Sequence, residues 1–374
     1  MNSMSIYDFN KIIGIAEQFD LNSVITDAKR FGSGHINDTF KLATGNSGEK
    51  SYLLQRVNHD IFKDIPSLMN NIHLVTTHLK NQFRANGISD IDKHTLTIIS
   101  TKNNKLYYQD EEGSYWRLFI LLADTKSYDI VETAKQAYSG GLAFGQFQKQ
   151  LSDLDATQLV EILPNFHNID FRIQNLKEAI STNKANRVEN VQDLLHYIFE
   201  RESKMRRILD LADNGELPLR ITHNDTKFNN VLLDQNDNVQ CVIDLDTVMP
   251  GYIAYDFGDA IRTIINSAAE DEKNLEKIVL NIPLFKAYAE GYLSEAKEFL
   301  TDKEIESLMY GVLLLPYMQA VRFLTDYIDG DTYYKVYYPD HNLIRAKAQF
   351  KLVDELEKHE EELKNILELS LVAQ

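Results

Sequence analysis

The chain has 374 residues, 44% hydrophobic and 25% charged, with 56 acidic against 39 basic residues and a formal net charge of −17. That length exceeds what one core organises, so two domains are expected, and the composition is that of a folded globular protein. The acidic excess excludes nucleic acid and an anionic membrane surface as partners, and the single cysteine, Cys241, excludes a disulfide framework or a cysteine zinc cluster.

Sixteen glycines and seven prolines are few for this length and predict long, mostly helical elements. The first eleven residues lack a basic region followed by an apolar run, so no secretory signal is expected. With the lone cysteine, this predicts a cytoplasmic protein. In chain order, a helix is expected over Tyr7–Phe19 and strands over Ser23–Phe31, His35–Ala43 and Ser51–Val57, with turn residues 44–49 before the third. Leu68, Ile72, Val75 and Leu79 predict a helix over Pro66–Phe83, and strands follow over Thr95–Ile99, Leu106–Gln109 and Tyr115–Leu121. Beyond Asp124 helices are expected over Thr133–Leu151, Val188–Leu211, Leu284–Glu298 and Glu304–Asp326. The charge-free run Ser307–Val321 is too short to span a bilayer and reads as a buried helix. A final acidic helix carries Leu352, Leu356, Leu363 and Leu367 on one stripe. The reading is an α+β fold of two lobes, 1–120 and 121–374, joined near Phe119–Thr125.

Segment 217–263 breaks the helical pattern. After His223-Asn-Asp-Thr-Lys-Phe-Asn-Asn230 come strand-like Val231–Leu233, a turn at Asp234–Asn238, and Val239–Ile243 leading to Asp244. Asp225, Asn230 five residues on and Asp244 fourteen beyond that supply one carboxylate for an attacking hydroxyl and two oxygen ligands for Mg²⁺. Lys227 supplies a cation for a transferred phosphoryl group. A hairpin of the two strands returns Asp244 beside the loop.

The segment 223–230 resembles the H-x-D-x-x-x-x-N catalytic loop of protein kinases and of the aminoglycoside and choline phosphotransferases. Val242-Ile-Asp244-Leu-Asp246, with Gly251 and Tyr255-Asp256, resembles the second motif of the small-molecule branch. Together with Arg322-Phe-Leu-Thr-Asp-Tyr327, these stretches are most similar to the N-acetylhexosamine 1-kinases. The resemblance implies a two-lobed kinase-like fold, ATP and Mg²⁺ as cofactors, and transfer to the anomeric hydroxyl of N-acetylglucosamine or N-acetylgalactosamine. It implies Asp225 and Lys227 as catalytic residues, and Asn230 and Asp244 as metal ligands. Kinase action on another small alcohol (an aminoglycoside, choline, homoserine) and a non-catalytic nucleotide or sugar sensor are the alternatives.

Asp256-Phe-Gly-Asp259 spells the protein-kinase metal motif, but it lies twenty-six residues beyond Asn230 and opens a helical stretch. Asp256 is therefore expected to cap a helix or brace the loop, and Asp259 with Arg262 to be an exposed i,i+3 pair. Asp246 is read as a second carboxylate near the metal or a hydrogen-bonding group for substrate, and His223 as a buried residue orienting the loop. On the nucleotide side Gly32, Ser33 and Gly34 resemble the start of a phosphate loop, with Asn37 where a third glycine would stand. Arg56 occupies the kinase lysine position and suits a phosphate. Its usual helix glutamate is missing, because Pro66–Phe83 contains no acidic residue. Contacts to the sugar are expected from His35, Asp246 and Arg322, with Tyr138, Tyr327 and Arg345 in similar stretches.

Overall fold

A computed structural model describes residues 9–32, 36–45, 50–266 and 268–372. Helix α1 (Phe9–Ala16) precedes an antiparallel meander of β1 (Ile25–Arg30), β2 (Asp38–Thr44) and β3 (Tyr52–Val57). Helix α2 (Ile65–Ala85) follows, then β4 (Ile98–Ile99), β5 (Tyr108–Gln109) and β6 (Tyr115–Ile120), giving a sheet of order β1-β2-β3-β6-β4 with β5 on β6. Alternation along β3 puts Tyr52 and Leu54 into a cluster with Trp116, Leu118 and α1, while Val57 joins α2 on the other face. Asp64 starts α2 by accepting a 3.0 Å bond from the Ser67 amide, with Pro66 in the first turn.

The helical part comprises α3 (Ala134–Gln150), α4 (Ile169–Thr182), α5 (Gln192–Met205), α6 (Arg207–Asp213), α7 (Ile253–Ile264), α8 (Ile282–Ala296), α9 (Asp302–Asp329), α10 (His341–Lys358) and α11 (Glu360–Val372). Set among them are β7 (Arg220–Thr222), the hairpin β8 (Val231–Leu233) and β9 (Val239–Val242), and β10 (Met249–Gly251), which pairs with β7. The run Ser307–Val321 lies inside α9, a helix long and apolar enough to cross a membrane by length and composition. In its most apolar window 78% is buried within the protein. Glycine sets two close crossings. A Cβ on Gly258 of α7 or Gly311 of α9 would overlap the opposing backbone, as would one on Gly141 of α3 against Tyr288 of α8. These contacts press α7 and α3 against the core at the depth from which they reach the 223–226 loop.

Several boundaries differ from the sequence reading. Val188–Leu211 is not one helix but a 3-10 turn followed by α5 and α6, broken at Arg206, whose guanidinium gathers Asp170, Asp210 and Asp213. The closing helix is two, α10 and α11, yet Leu352, Leu356, Leu363 and Leu367 are all buried on one core. Helix α4 and strand β10 were not anticipated, and the expected strand Thr95–Ile99 shrinks to β4. A second cluster binds α2 and Phe119 to Phe147, Leu151, Ile221, Leu245 and Val248, so the sheet and the helical part share buried apolar surface.

Candidate active site

The loop after β7 is fixed from inside the core. His223, Asn224 and Thr226 are buried. Asp256, in the first turn of α7, accepts the His223 amide at 2.8 Å, the Asn224 amide at 2.7 Å and the Gln148 side chain at 2.8 Å. It therefore braces the loop, and Tyr252 holds the N-cap position. Burial raises the Asp256 pKa, with His223 and these donors working against the rise. Asp259, one turn on, accepts the Thr226 amide at 3.0 Å and pairs with Arg262 at 3.0 Å. The predicted i,i+3 pair exists, but it is buried rather than exposed, with side chains 8% and 11% accessible. Burial opposes the Asp259 charge, but Arg262 and then Lys227 outweigh it and hold the carboxyl below its ordinary range.

His223 uses both ring nitrogens. Nδ1 accepts the Asp225 amide at 3.3 Å and Nε2 lies 2.8 Å from the Ile243 carbonyl, a pattern that one neutral tautomer satisfies. The phenyl rings of Phe144 and Phe147 meet its ring edge-on. Through Ile243 the histidine ties the 223–225 loop to the strand end that carries Asp244. The β8–β9 hairpin closes the same tie, since the Ile243 amide donates to the Asn230 carbonyl at 2.9 Å. Asn224 and Asp244 adopt left-handed backbone (φ 64° and 60°), which Asn and Asp tolerate better than other side chains. Asn224 is repaid by bonds to Thr222 and Thr247.

The structure brings Lys227 and Asn230 onto Asp225, with Asp244 near enough to feel the Asp225 charge. Lys227 Nζ lies 2.8 Å from an Asp225 carboxylate oxygen, and Asn230 Nδ2 donates to the Asp225 carbonyl at 2.8 Å. Burial pulls the Lys227 ammonium pKa down, but Asp225 overcomes it and the net shift is upward. The Asp244 carboxyl is pushed up to about 6 by desolvation, then by the negative neighbours Asp246 and Asp225. Solvent reaches this residue, so the crowding of carboxylates carries more weight than enclosure. Oxygen donors crowded at a cleft suit a hard divalent cation. Among the described residues no three His, Cys, Asp or Glu side chains converge on a ready-made metal cage. Mg²⁺ does not need one, because phosphate oxygens and water complete its shell.

Asp246 does not stand free in the cleft. Its oxygens accept the buried guanidinium of Arg117 on β6 and Asn37 Nδ2 at 2.7 Å, clasping the sheet to the segment after β9. Arg56, on β3, receives its carboxylate from the neighbouring strand. Asp38 Oδ2 accepts Nε at 2.9 Å and Nη2 at 2.7 Å, supplying the partner that the sequence left open. Gly32 turns the chain after β1 with φ 79°, while Ser33, Gly34 and His35 lie outside the described residues.

Arg322, on α9, donates to Gln319 at 3.2 Å and faces the rings of Phe166 and Tyr334. Tyr138 sits on α3, its carbonyl packed where a Gly291 side chain would go. Tyr327 lies under the Arg187 guanidinium, and Arg345 stacks on Phe323. Sequence reasoning missed His167, whose Nε2 lies 3.4 Å from the Asn224 carbonyl. It also missed Asp326, which accepts the amides of Thr332, Tyr333 and Tyr334 and so fixes the loop over Arg322. Only the second sat within a recognisable stretch. A separate cavity of about 230 Å³, lined by Gln148, Leu151, Arg220 and Phe299 among others, contains none of Asp225, Asn230 and Asp244.

Comparison with known proteins places the chain by family and by fold. The profile of the phosphotransferase enzyme family matches residues 27–293. An aminoglycoside phosphotransferase from Alicyclobacillus acidocaldarius superposes with TM-score 0.63 at 13% identity, covering 98% of both chains. A choline kinase from Cryptosporidium parvum gives 0.56 at 15% identity over 96% of this chain and 98% of that one. A microcompartment-associated aminopropanol kinase gives 0.56 at 14%, over 95% and 98%. The match spans both the sheet that presents Arg56 and the segment that gathers Asp225, Asn230 and Asp244, and on it the chain belongs to the phosphotransferase enzyme family, with the two-lobed kinase-like fold of these structures.

Proposed function

We propose that the protein is an ATP- and Mg²⁺-dependent kinase for a small polar alcohol, and that its acceptor is the anomeric hydroxyl of an N-acetylhexosamine. The observation that carries the reading is the convergence of Asp225 with Asn230 and Asp244 across the β8–β9 hairpin, beside Lys227. When bound, Mg²⁺ supplies charge neutralisation for the phosphates. The Asn230 amide oxygen and the Asp244 carboxylate would hold it.

The chain's own residues do the rest. Asp225, whose amide His223 accepts and whose two preceding amides Asp256 holds, accepts the proton of the acceptor hydroxyl or orients it. Lys227 leaves its resting pair with Asp225 to meet phosphate oxygen, and Arg56, aligned by Asp38, meets phosphate from the sheet side. The hexosamine assignment rests on the resemblance of 223–230, 242–249 and 322–327, and the aromatic loop that Asp326 holds over Arg322 suits a sugar face. The test is an acceptor panel with ATP, scored by ADP release: N-acetylglucosamine and N-acetylgalactosamine should be used, with phosphate appearing at C1. Preference for choline, homoserine or an aminoglycoside would replace the acceptor and keep the kinase. ATP binding without turnover on any acceptor would favour a sensor.

A further inference from the structure

Charges around the 224–225 loop are unevenly paired. The carboxylates on this side are each committed: Asp225 to Lys227 at 2.8 Å, Asp259 to Arg262 at 3.0 Å and Asp170 to Arg206 at 3.0 Å. Two partly buried guanidiniums are not. Among the described residues neither Arg172 on α4 nor Arg322 on α9 forms an ion pair with a carboxylate. Arg172 donates through Nη2 to the Phe166 carbonyl at 2.7 Å, and its buried Nε has no acceptor. The Arg322 guanidinium stands 5.6 Å from the ring centre of Phe166. Both cations therefore converge on Phe166–His167, and His167 touches the Asn224 carbonyl next to Asp225.

The two guanidiniums feel one another. Burial lowers the Arg172 pKa, and repulsion from Arg322 lowers it further. His167, near both, is held neutral: burial pulls it down to about 4, and Arg322 and Arg172 add to that against the opposing pull of Asp259. In a chain of net charge −17, two guanidiniums without a carboxylate partner, separated from the 224–225 loop only by His167, are a costly arrangement that folding alone does not require.

We propose that Arg172 and Arg322 form an electropositive wall of the acceptor subsite and set its charge selectivity: neutral acceptors enter beside Asp225, and acceptors bearing an ammonium group are repelled. The inference rests on the kinase reading above and narrows its acceptor class. An acceptor hydroxyl within hydrogen-bond reach of Asp225 brings the rest of a small molecule near this wall. A guanidinium stays charged at every working pH, so the wall cannot be titrated away. An N-acetylated amine presents a neutral amide there, whereas the free amine of the same sugar presents a like charge.

The experiment uses the full chain with ATP and Mg²⁺ and compares acceptors that differ in amine charge. The pairs are N-acetylglucosamine against glucosamine and N-acetylgalactosamine against galactosamine, with glucose, choline and ethanolamine alongside. The neutral member of each pair should have a kcat/KM on the order of 100-fold higher. Arg172→Gln and Arg322→Gln should each shrink that ratio by roughly tenfold, with the cationic acceptor gaining. Equal use of the ammonium sugars by the wild-type protein, or an unchanged ratio in both variants, overturns the proposal. Turnover of glucose but of no hexosamine refutes the hexosamine reading and supports the wall, while preference for choline or ethanolamine refutes the wall and leaves the kinase standing. Thermal shifts with ADP, Mg²⁺ and each sugar read the same ordering without turnover. A larger shift with the ammonium member counts against the wall even if no acceptor is phosphorylated.

Discussion

Asp256 holds the 223–224 backbone from inside the core, whereas Asp38 holds Arg56 from the partly exposed start of β2. Around Asp256 the partners are amides and a glutamine, all buried, and each would be left unsatisfied if the carboxylate were lost. Arg56 instead pairs with a carboxylate shared with Arg30, and the side chains are 35% and 21% accessible. A pair of that kind contributes on the order of 1 kcal/mol or less and aligns more than it stabilises. The 223–226 segment is rigid because its polar groups have no water to fall back on. The Arg56 side keeps solvent access, and on the proposed reading it is free to rearrange around a phosphate.

Breaking the rigid side should cost most. Asp225→Asn should lower kcat by roughly 10²–10⁴-fold while ATP binding persists; a wild-type rate would remove Asp225 from the chemistry. Asp256→Ala leaves the His223 and Asn224 amides buried without an acceptor, and should destabilise by about 2–4 kcal/mol in urea melts. Asp256→Asn, which keeps one acceptor oxygen, should fall between the two proteins.

The half-buried histidine behind the loop gives a pH signature. His167 has its folded pKa lowered to about 4 from an ordinary 6.5, so its contribution is present above about 6.5 and lost as pH falls towards 4. Up to about 3 kcal/mol should disappear across that window. His167→Gln should flatten the acid limb of the stability profile, and an unchanged limb would mean the histidine does not titrate this way. On the exposed side, Arg56→Gln should raise the KM for ATP by about tenfold with stability nearly unchanged. Asp38→Asn should do the same more weakly, since it misaligns the guanidinium without removing it.

Legibility followed the same division. The spacing of Asp225, Asn230 and Asp244 was readable because a loop, a short hairpin and a strand end lie within twenty residues, so local geometry alone brings them together. The kinase resemblance points to α2, where a glutamate would pair with Arg56, but α2 has none. Asp38 escaped notice because its role depends on the β2–β3 register, which places it directly across from Arg56. The Asp259–Arg262 pair was read as exposed because i,i+3 spacing says that two side chains meet and nothing about what covers them. The break at Arg206 carries no glycine or proline to announce it.

By itself the sequence determined the order of sheet and helices, the α+β fold class and the loop–hairpin–carboxylate motif, because each is written in local periodicity or short spacing. Tertiary structure alone decided that Asp246 clasps Arg117 and Asn37, that Asp256 and Asp259 brace the loop from α7, and that Arg172 and Arg322 meet beside His167 without a carboxylate. Those arrangements join residues thirty to two hundred positions apart. Their energies come from burial and from which charge finds a partner, and neither quantity exists until the chain has packed.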